Sequence, residues 1–182
     1  MGFDRLGHGI RGDSLMNPVL VPLMSQLPAG VRLASREGIC ALENSLRDQQ
    51  FDDMHTFTQE EGDAVFARTD RFADGVYARE LLLPAGTIVV GKIHKFGHLN
   101  VITRGRCIVV TEFGVSELVA PHTFISEPGT KRVVAAVEDT VWTTFHGVDT
   151  DEYDDIDQIE KRIICKTFDD FDSHQLSLKL EN

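Results

Sequence analysis

The sequence predicts a mainly β protein whose strands form an antiparallel sandwich or barrel, with other segments added at both ends. Eight short runs rich in Val, Ile, Thr and aromatic residues lie between Gly75 and His146. Turn signals such as Pro84-Ala85-Gly86 and Pro128-Gly129 separate these runs. No helical periodicity competes with them in this region, so the alternation decides the fold class.

The composition excludes several classes of partner. The chain has 182 residues and a formal net charge of −11, with 29 acidic and 18 basic residues. Such a chain is repelled by phosphate backbones and anionic lipids, so we expect no direct binding to nucleic acid or membranes. No apolar run approaches the roughly 18 residues of a membrane span, and no signal peptide is recognisable at Met1. Three distant cysteines predict free thiols, so we expect synthesis in the cytoplasm.

The N-terminal part, residues 1–74, is expected to be an arm followed by a helix and not an independent domain. Repeated Gly and Pro residues interrupt residues 1–34, so no long helix or strand is predicted there. Ser35 can cap a helix in which Ile39, Leu42 and Leu46 share one face. This amphipathic helix is predicted to end near Gln50.

The barrel is predicted over residues 75–148, and a helix with an acidic tail over residues 149–182. Asp149 and Glu152 have the spacing of a capping box, and isoleucines follow at helical spacing. In the tail, Leu176, Leu178 and Leu180 alternate with polar residues, which predicts an edge strand.

The stretch from Gly86 to Gly105 resembles the first sequence motif of the cupin superfamily, a family of double-stranded β-helix, or jelly-roll, barrels. That motif runs Gly, five residues, His-x-His, three or four residues, Glu, six residues, Gly. The spacing matches throughout, but Lys92 stands where the first His is expected and His98 where Glu is expected. Only His94 keeps the expected type of ligand.

The second cupin motif is also recognisable in outline. Pro128 and Gly129 occupy its central turn, while Arg132 stands where a His ligand is expected and Ala136 where Asn is expected. Pro121 replaces the Gly that opens the motif. More narrowly, residues 72–165 resemble cupin-like proteins encoded by tailed phages, a group that includes possible virion components. The resemblance therefore implies a cupin-like jelly roll with most of its metal ligands replaced.

Two kinds of site are compatible with these residues. A metal site needs about three protein ligands, and His94 and His98 supply two, with His146 as a candidate third. Lys92, however, would repel a divalent cation. If the cupin register holds, Lys92, His94, His98, Asn100 and Arg132 face the barrel mouth together and favour a small anionic ligand. A third interpretation is structural, with Lys92 paired to Glu80 or Glu112.

The missing ligands favour a non-enzymatic assembly or binding module. We expect a virion-associated phage structural protein that forms homo-oligomers through its arms and contacts other phage structural proteins. We expect it to carry no cofactor and to have a pocket for a small anion. The alternative is a cupin enzyme, an oxygenase, isomerase or lyase acting on a small anionic substrate. Its metal would be zinc, iron or manganese on His94, His98 and His146; without metal, Lys92 and a histidine would act as acid and base.

Overall fold

The computed structural model describes residues 20–24, 27–48, 66–149 and 155–180. Two antiparallel sheets pack against each other, one with the strand order β1-β2-β10-β5-β8 and one with the order β3-β9-β6-β7. A separate two-stranded ribbon pairs β4 with β11. The strands are β1 Arg68–Ala73, β2 Val76–Leu83, β3 Ile88–Val90, β4 Ile93–His94, β5 His98–Arg104, β6 Arg106–Thr111, β7 Gly114–Val119, β8 His122–Ser126, β9 Arg132–Ala136, β10 Thr140–Gly147 and β11 Ile164–Cys165. The helices are α1 Val21–Met24, α2 Arg36–Arg47, α3 Ile156–Ile163 and α4 Phe168–Leu180.

The mainly β jelly-roll architecture predicted from the sequence is confirmed. One predicted run, Thr87 to Ile93, is divided into β3 and β4, which belong to different sheets. The glycines of the two motifs, Gly86, Gly105 and Gly129, all have positive φ angles. Gly105, between β5 and β6, has φ +88°, and a Cβ atom there would overlap the backbone of Asp139. Such a position requires glycine.

The N-terminal helix packs on the outer side of the four-stranded sheet. Ser35 caps α2 by accepting a hydrogen bond from the Gly38 N–H (3.0 Å), as predicted. Ile39 and Leu42 are fully buried against the sheet. Leu20 and Leu33, which belong to the predicted arm, are 0% and 2% exposed in the same cluster. These parts of the arm therefore belong to the folded core; residues 1–19 lie outside the described ranges.

Two C-terminal predictions are corrected. The helix α3 begins at Ile156 and is capped by Asp155, which accepts from the Gln158 N–H (2.9 Å), whereas Asp149 pairs with Arg162. Glu152 lies outside the described residues.

The leucine-rich tail is helical, not an edge strand, because α4 covers Phe168–Leu180. Thr167 and Asp170 bond reciprocally to each other's backbone N–H groups (both 3.1 Å), which caps the start of this helix. Phe171 anchors it as its buried apolar residue.

The barrel interior changes character along its length. At one end, apolar residues from both sheets form a core that includes Ile102, Val109, Val134 and Trp142. At the other end, the inward-facing side chains are polar or charged and nevertheless buried: His98, Asn100, Ser126, Arg132 and His146. Buried polar residues of this kind need partners or a function. Among the described residues, no helix has the length and apolar character needed to cross a membrane.

Candidate metal centre

Three histidines meet at the polar end of the barrel. His98 on β5 and His146 on β10 lie on neighbouring strands, since the pairs Thr144–Asn100 and Phe145–Leu99 set the register. Their ring centroids are 4.7 Å apart. His94 on β4 completes the group, at 4.2 Å from the ring of His98 and 4.9 Å from that of His146. One nitrogen from each residue lies within 4.8 Å of the others.

The backbone holds His94 from two sides. His94 is the register partner of Ile164 on β11, and the His94 carbonyl accepts a hydrogen bond from the Gly129 N–H (2.8 Å). Gly129 has φ +79°, and the ring of Phe171 packs so closely that a Cβ atom at Gly129 would overlap it. The helix α4 and the turn before β9 therefore fix the position of His94.

All three imidazoles are neutral at physiological pH. Burial, with the adjacent imidazoles and the positive charge of Arg132 adding to it, lowers the pKa of His94 to about 2. Burial, then the neighbouring imidazole of His146 and the charge of Arg132, lower the pKa of His98 to about 3. Burial and the charge of Arg79 lower the pKa of His146 to about 4. Neutral imidazole is the form that binds metal ions.

The three residues fit a metal ion. The Nδ1 atom of His94 is buried without a hydrogen-bond partner among the described residues, and such an orphan atom is rare unless something binds it. Three imidazoles are an established ligand set for a mononuclear centre. Ligand nitrogens around a four-coordinate zinc lie about 3.4 Å apart, given bonds of roughly 2.0–2.1 Å. Side-chain adjustments of roughly an ångström or less would bring the present nitrogens to that separation.

The predicted residue Lys92 lies at the rim and is already paired. Its side chain is 41% exposed, and its ammonium donates to Glu160 Oε2 (2.7 Å), not to Glu80 or Glu112. Glu160 also accepts from Arg79 Nη1 (2.8 Å). Burial alone would raise the pKa of Glu160, but these two bonds outweigh it and lower that pKa. The carboxylate therefore offsets part of the positive charge of Lys92 and Arg79 at the rim.

Glu80 and Glu112 have other partners. Glu80 pairs with Arg71 (3.3 Å), and Glu112 with Arg36 (2.5 Å). The cross-strand pairs suggested for Lys92 are therefore not formed.

Asn100 and Arg132 lie deeper in the barrel. Asn100 is fully buried; its amide accepts from Trp142 Nε1 (2.9 Å) and donates to the carbonyl of His98 (3.3 Å). Both groups of the amide are thus used to hold neighbouring residues. Arg132 crosses the barrel from β9 and donates to the hydroxyl of Ser126, the register neighbour of His98.

Sequence reasoning missed three participants: Arg79, Ser126 and Glu160. Ser126 and Arg79 lie on the inward-facing side of their strands, as Phe124 and Tyr77 do, and this alternation is a signal that the sequence contains. The contact of Glu160 depends on where α3 packs, which no local pattern shows.

A surface cavity of about 260 Å³ lies elsewhere, lined by Lys95, Ile164, Cys165, Lys166, Asp170 and His174.

Comparisons with known proteins find only distant structural similarity at low sequence identity. No family model matches the sequence, and no curated protein sequence matches it. Among solved structures, a cupin superfamily protein from Desulfitobacterium hafniense DCB-2 has 13% identity and a TM-score of 0.40 over 45% of this chain and 76% of that one. KdgF from Halomonas sp. has 15% identity and a TM-score of 0.40 over 47% and 82%. An RmlC-like cupin from Shewanella frigidimarina NCIMB 400 has 17% identity and a TM-score of 0.39 over 46% and 78%. The jelly-roll assignment rests on the strand order given above, and the narrower resemblance to phage-encoded cupins stays a prediction.

Proposed function

We propose that this protein is a metal-dependent cupin-like enzyme that binds one divalent transition-metal ion on His94, His98 and His146 and acts on a small molecule. One observation carries the proposal: three neutral imidazoles from three different strands, two of them buried and that of His94 half-buried, have ligand nitrogens within 4.8 Å of one another. Packing alone does not account for this arrangement, because it leaves the Nδ1 atom of His94 without a partner in the described structure.

The ligand set favours zinc or iron over manganese. Imidazole nitrogen suits zinc and iron, whereas manganese is more often bound by oxygen ligands. Three protein ligands leave at least one coordination position for water or substrate. Bound there, such an ion would polarise a substrate oxygen or lower the pKa of a bound water.

The ion pairs at the rim reduce the repulsion that a metal ion would meet there. Lys92 would repel a metal ion if its charge were unpaired. In the structure, the Glu160 carboxylate bonds to both Lys92 and Arg79 (2.7 and 2.8 Å) and reduces that repulsion. The objection that Lys92 raised at the level of the sequence is therefore weakened.

Elemental analysis tests the proposal. Purified untagged protein is incubated with zinc, iron(II) or manganese(II), freed of excess metal by gel filtration, and its metal content is measured. We expect about one ion per chain in the wild type and less than a tenth of that in a His94→Gln, His98→Gln double variant. His122→Gln, which alters a partly exposed histidine of β8, is the control and should retain the ion. A folded wild-type protein that retains no metal contradicts the proposal.

The assembly role predicted from the sequence, with its homo-oligomers, phage protein partners and virion association, stays a separate prediction. Deletion of the whole predicted arm, residues 1–34, would test this role only if the arm were dispensable for folding. Because Leu20 and Leu33 are buried in the core, that deletion would also damage the barrel. Deletion of residues 1–19 is the cleaner experiment. An unchanged mass in light scattering would contradict arm-mediated assembly.

A further inference from the structure

Arg132 places a positive charge inside the barrel, beside the histidine cluster. It lies on β9, where it alternates with Val134 and Ala136, two residues of the interior core. Only 8% of the residue is exposed. Its Nη2 group donates to Ser126 Oγ on the opposite sheet, and Ser126 is the register partner of His98. The guanidinium is therefore next to the proposed metal centre and largely shielded from bulk water.

This charge has no carboxylate partner among the described residues, whereas neighbouring cations do. Lys131, the adjacent residue, pairs with Glu43 (2.8 Å), and Arg79 pairs with Asp70 and Glu160. Burial lowers the pKa of Arg132 to about 10, which still leaves it charged at neutral pH. A buried charge without a counter-charge is costly, so such groups normally have a partner.

The guanidinium keeps most of its hydrogen-bonding capacity. Arginine has five N–H donors in a planar fork, and the described structure shows one hydrogen bond, to Ser126. The rings of Phe124 and Trp142, whose centroids are 5.5 Å apart, both lie on one side of it, 5.7 and 5.9 Å from Cζ. The side-chain oxygen of Asn100 holds the Trp142 ring by accepting from the indole N–H (2.9 Å). A planar carboxylate fits a guanidinium fork that is positioned by aromatic rings and keeps free N–H donors.

We propose that Arg132 anchors the carboxylate of a small organic acid, so that the substrates of the metal centre are carboxylate-bearing molecules. The second part rests on the proposed function, whereas the anion anchor does not. A dication on neutral ligands beside Arg132 would carry excess positive charge, which a ligand anion neutralises. Lys92, the other cation expected from the sequence to bind an anion, is already paired with Glu160 and has a smaller role.

The test is a titration with sodium malonate, with malonamide as the uncharged probe of similar shape. The chain has one tryptophan, Trp142, so its fluorescence reports on the ring that lies 5.9 Å from Arg132. We expect malonate to change this fluorescence and malonamide to have little effect. Arg132→Met should raise the Kd for malonate about 10- to 100-fold, as expected for the loss of a charged hydrogen-bonding group. Arg106→Met, which removes a cation of an exposed ion pair with Glu117, is the matched control and should leave the Kd nearly unchanged, since that residue is outside the proposed anchor.

The outcomes separate this inference from the proposed function. If metal-free wild type binds malonate and zinc does not tighten the binding, the anchor stands and the link to the metal centre fails. If malonate has no effect on the wild type, or acts equally on wild type and Arg132→Met, the anchor is refuted. Should Arg132→Met fail to fold, Arg132→Lys replaces it: this variant keeps the charge but not the planar fork, and an unchanged Kd again refutes the anchor.

Discussion

The three clustered histidines should make the metal-free protein unusually sensitive to mild acid. Their pKa values, about 2, 3 and 4, lie below the value of 6.5 for a free imidazole. Above pH 6.5 the folded and unfolded states are equally unprotonated, and these residues add no pH dependence. As the pH falls below 6.5, the unfolded chain binds protons that the folded chain excludes. The contribution of these histidines to stability is therefore greatest above pH 6.5. It decreases on acidification until the pH reaches their pKa values in the folded protein.

The size of the effect follows from the same values. Each pH unit in this window costs about 1.4 kcal/mol per histidine. Between pH 7.5 and 5.0 the loss is about 2 kcal/mol for each residue and about 6 kcal/mol for the three together. Since small proteins are stable by about 5–15 kcal/mol, such a loss would bring the metal-free protein close to unfolding at pH 5.

Urea unfolding followed by Trp142 fluorescence measures this loss. The free energy of unfolding is compared at pH 7.5 and pH 5.0 in a chelating buffer, for wild type and for a triple variant with His94, His98 and His146 replaced by Gln. Carboxylates titrate in both proteins, so the difference between the two pH-dependent losses isolates the histidines. We expect it to be about 4–6 kcal/mol, because glutamine does not titrate. If wild type and triple variant lose the same stability, the three imidazoles are not kept neutral in the folded protein.

Two further predictions concern the elements that support the site. In Gly129→Ala, the alanine would have a strained φ of +79° and its Cβ would overlap the ring of Phe171. We therefore expect the free energy of unfolding in urea to fall by about 1–3 kcal/mol. We also expect weaker metal retention, because the Gly129 N–H donates to the carbonyl of His94. Unchanged stability would mean that α4 does not pack on this turn. Glu43→Gln removes the charge that pairs with buried Lys131 (2.8 Å), so we expect a loss of about 1–3 kcal/mol, less than for a fully buried pair because Glu43 is 30% exposed. Glu117→Gln, which breaks an exposed pair, is the matched control and should cost less than about 1 kcal/mol; equal losses would contradict the distinction.

The sequence was sufficient for those features that depend on local patterns. Alternation placed the strands, and Ser35 with its apolar face placed α2 to within a few residues. The tail was mistaken for a strand because Leu176, Leu178 and Leu180 alternate, whereas the capping pair of Thr167 and Asp170 decided for a helix. A short amphipathic pattern is ambiguous in this way when its termini are not considered.

The candidate site was predictable in its histidines but not in its cations. His94, His98 and His146 were named as a conditional set, and the structure brings them together. Lys92 was expected beside His94 by strand alternation, but β4 begins only at Ile93, so the alternation does not extend to Lys92. Its partner Glu160 is 68 residues away and depends on how α3 packs. Contacts at such separation follow from the tertiary fold alone.

His98 and Arg132, which stand where the cupin motifs have Glu and His, can be interpreted differently once the histidine cluster is known. The resemblance led us to expect three His and one Glu as ligands, and their replacement suggested a lost metal site. In the structure, three imidazoles are still gathered, because His98 occupies the expected Glu position and His146 contributes from β10. Exchanging Glu for His removes one negative charge from the centre, and exchanging His for Arg132 adds one positive charge. Both changes make the centre more positive inside a chain of net charge −11, so the missing negative charge is one that a bound carboxylate can supply.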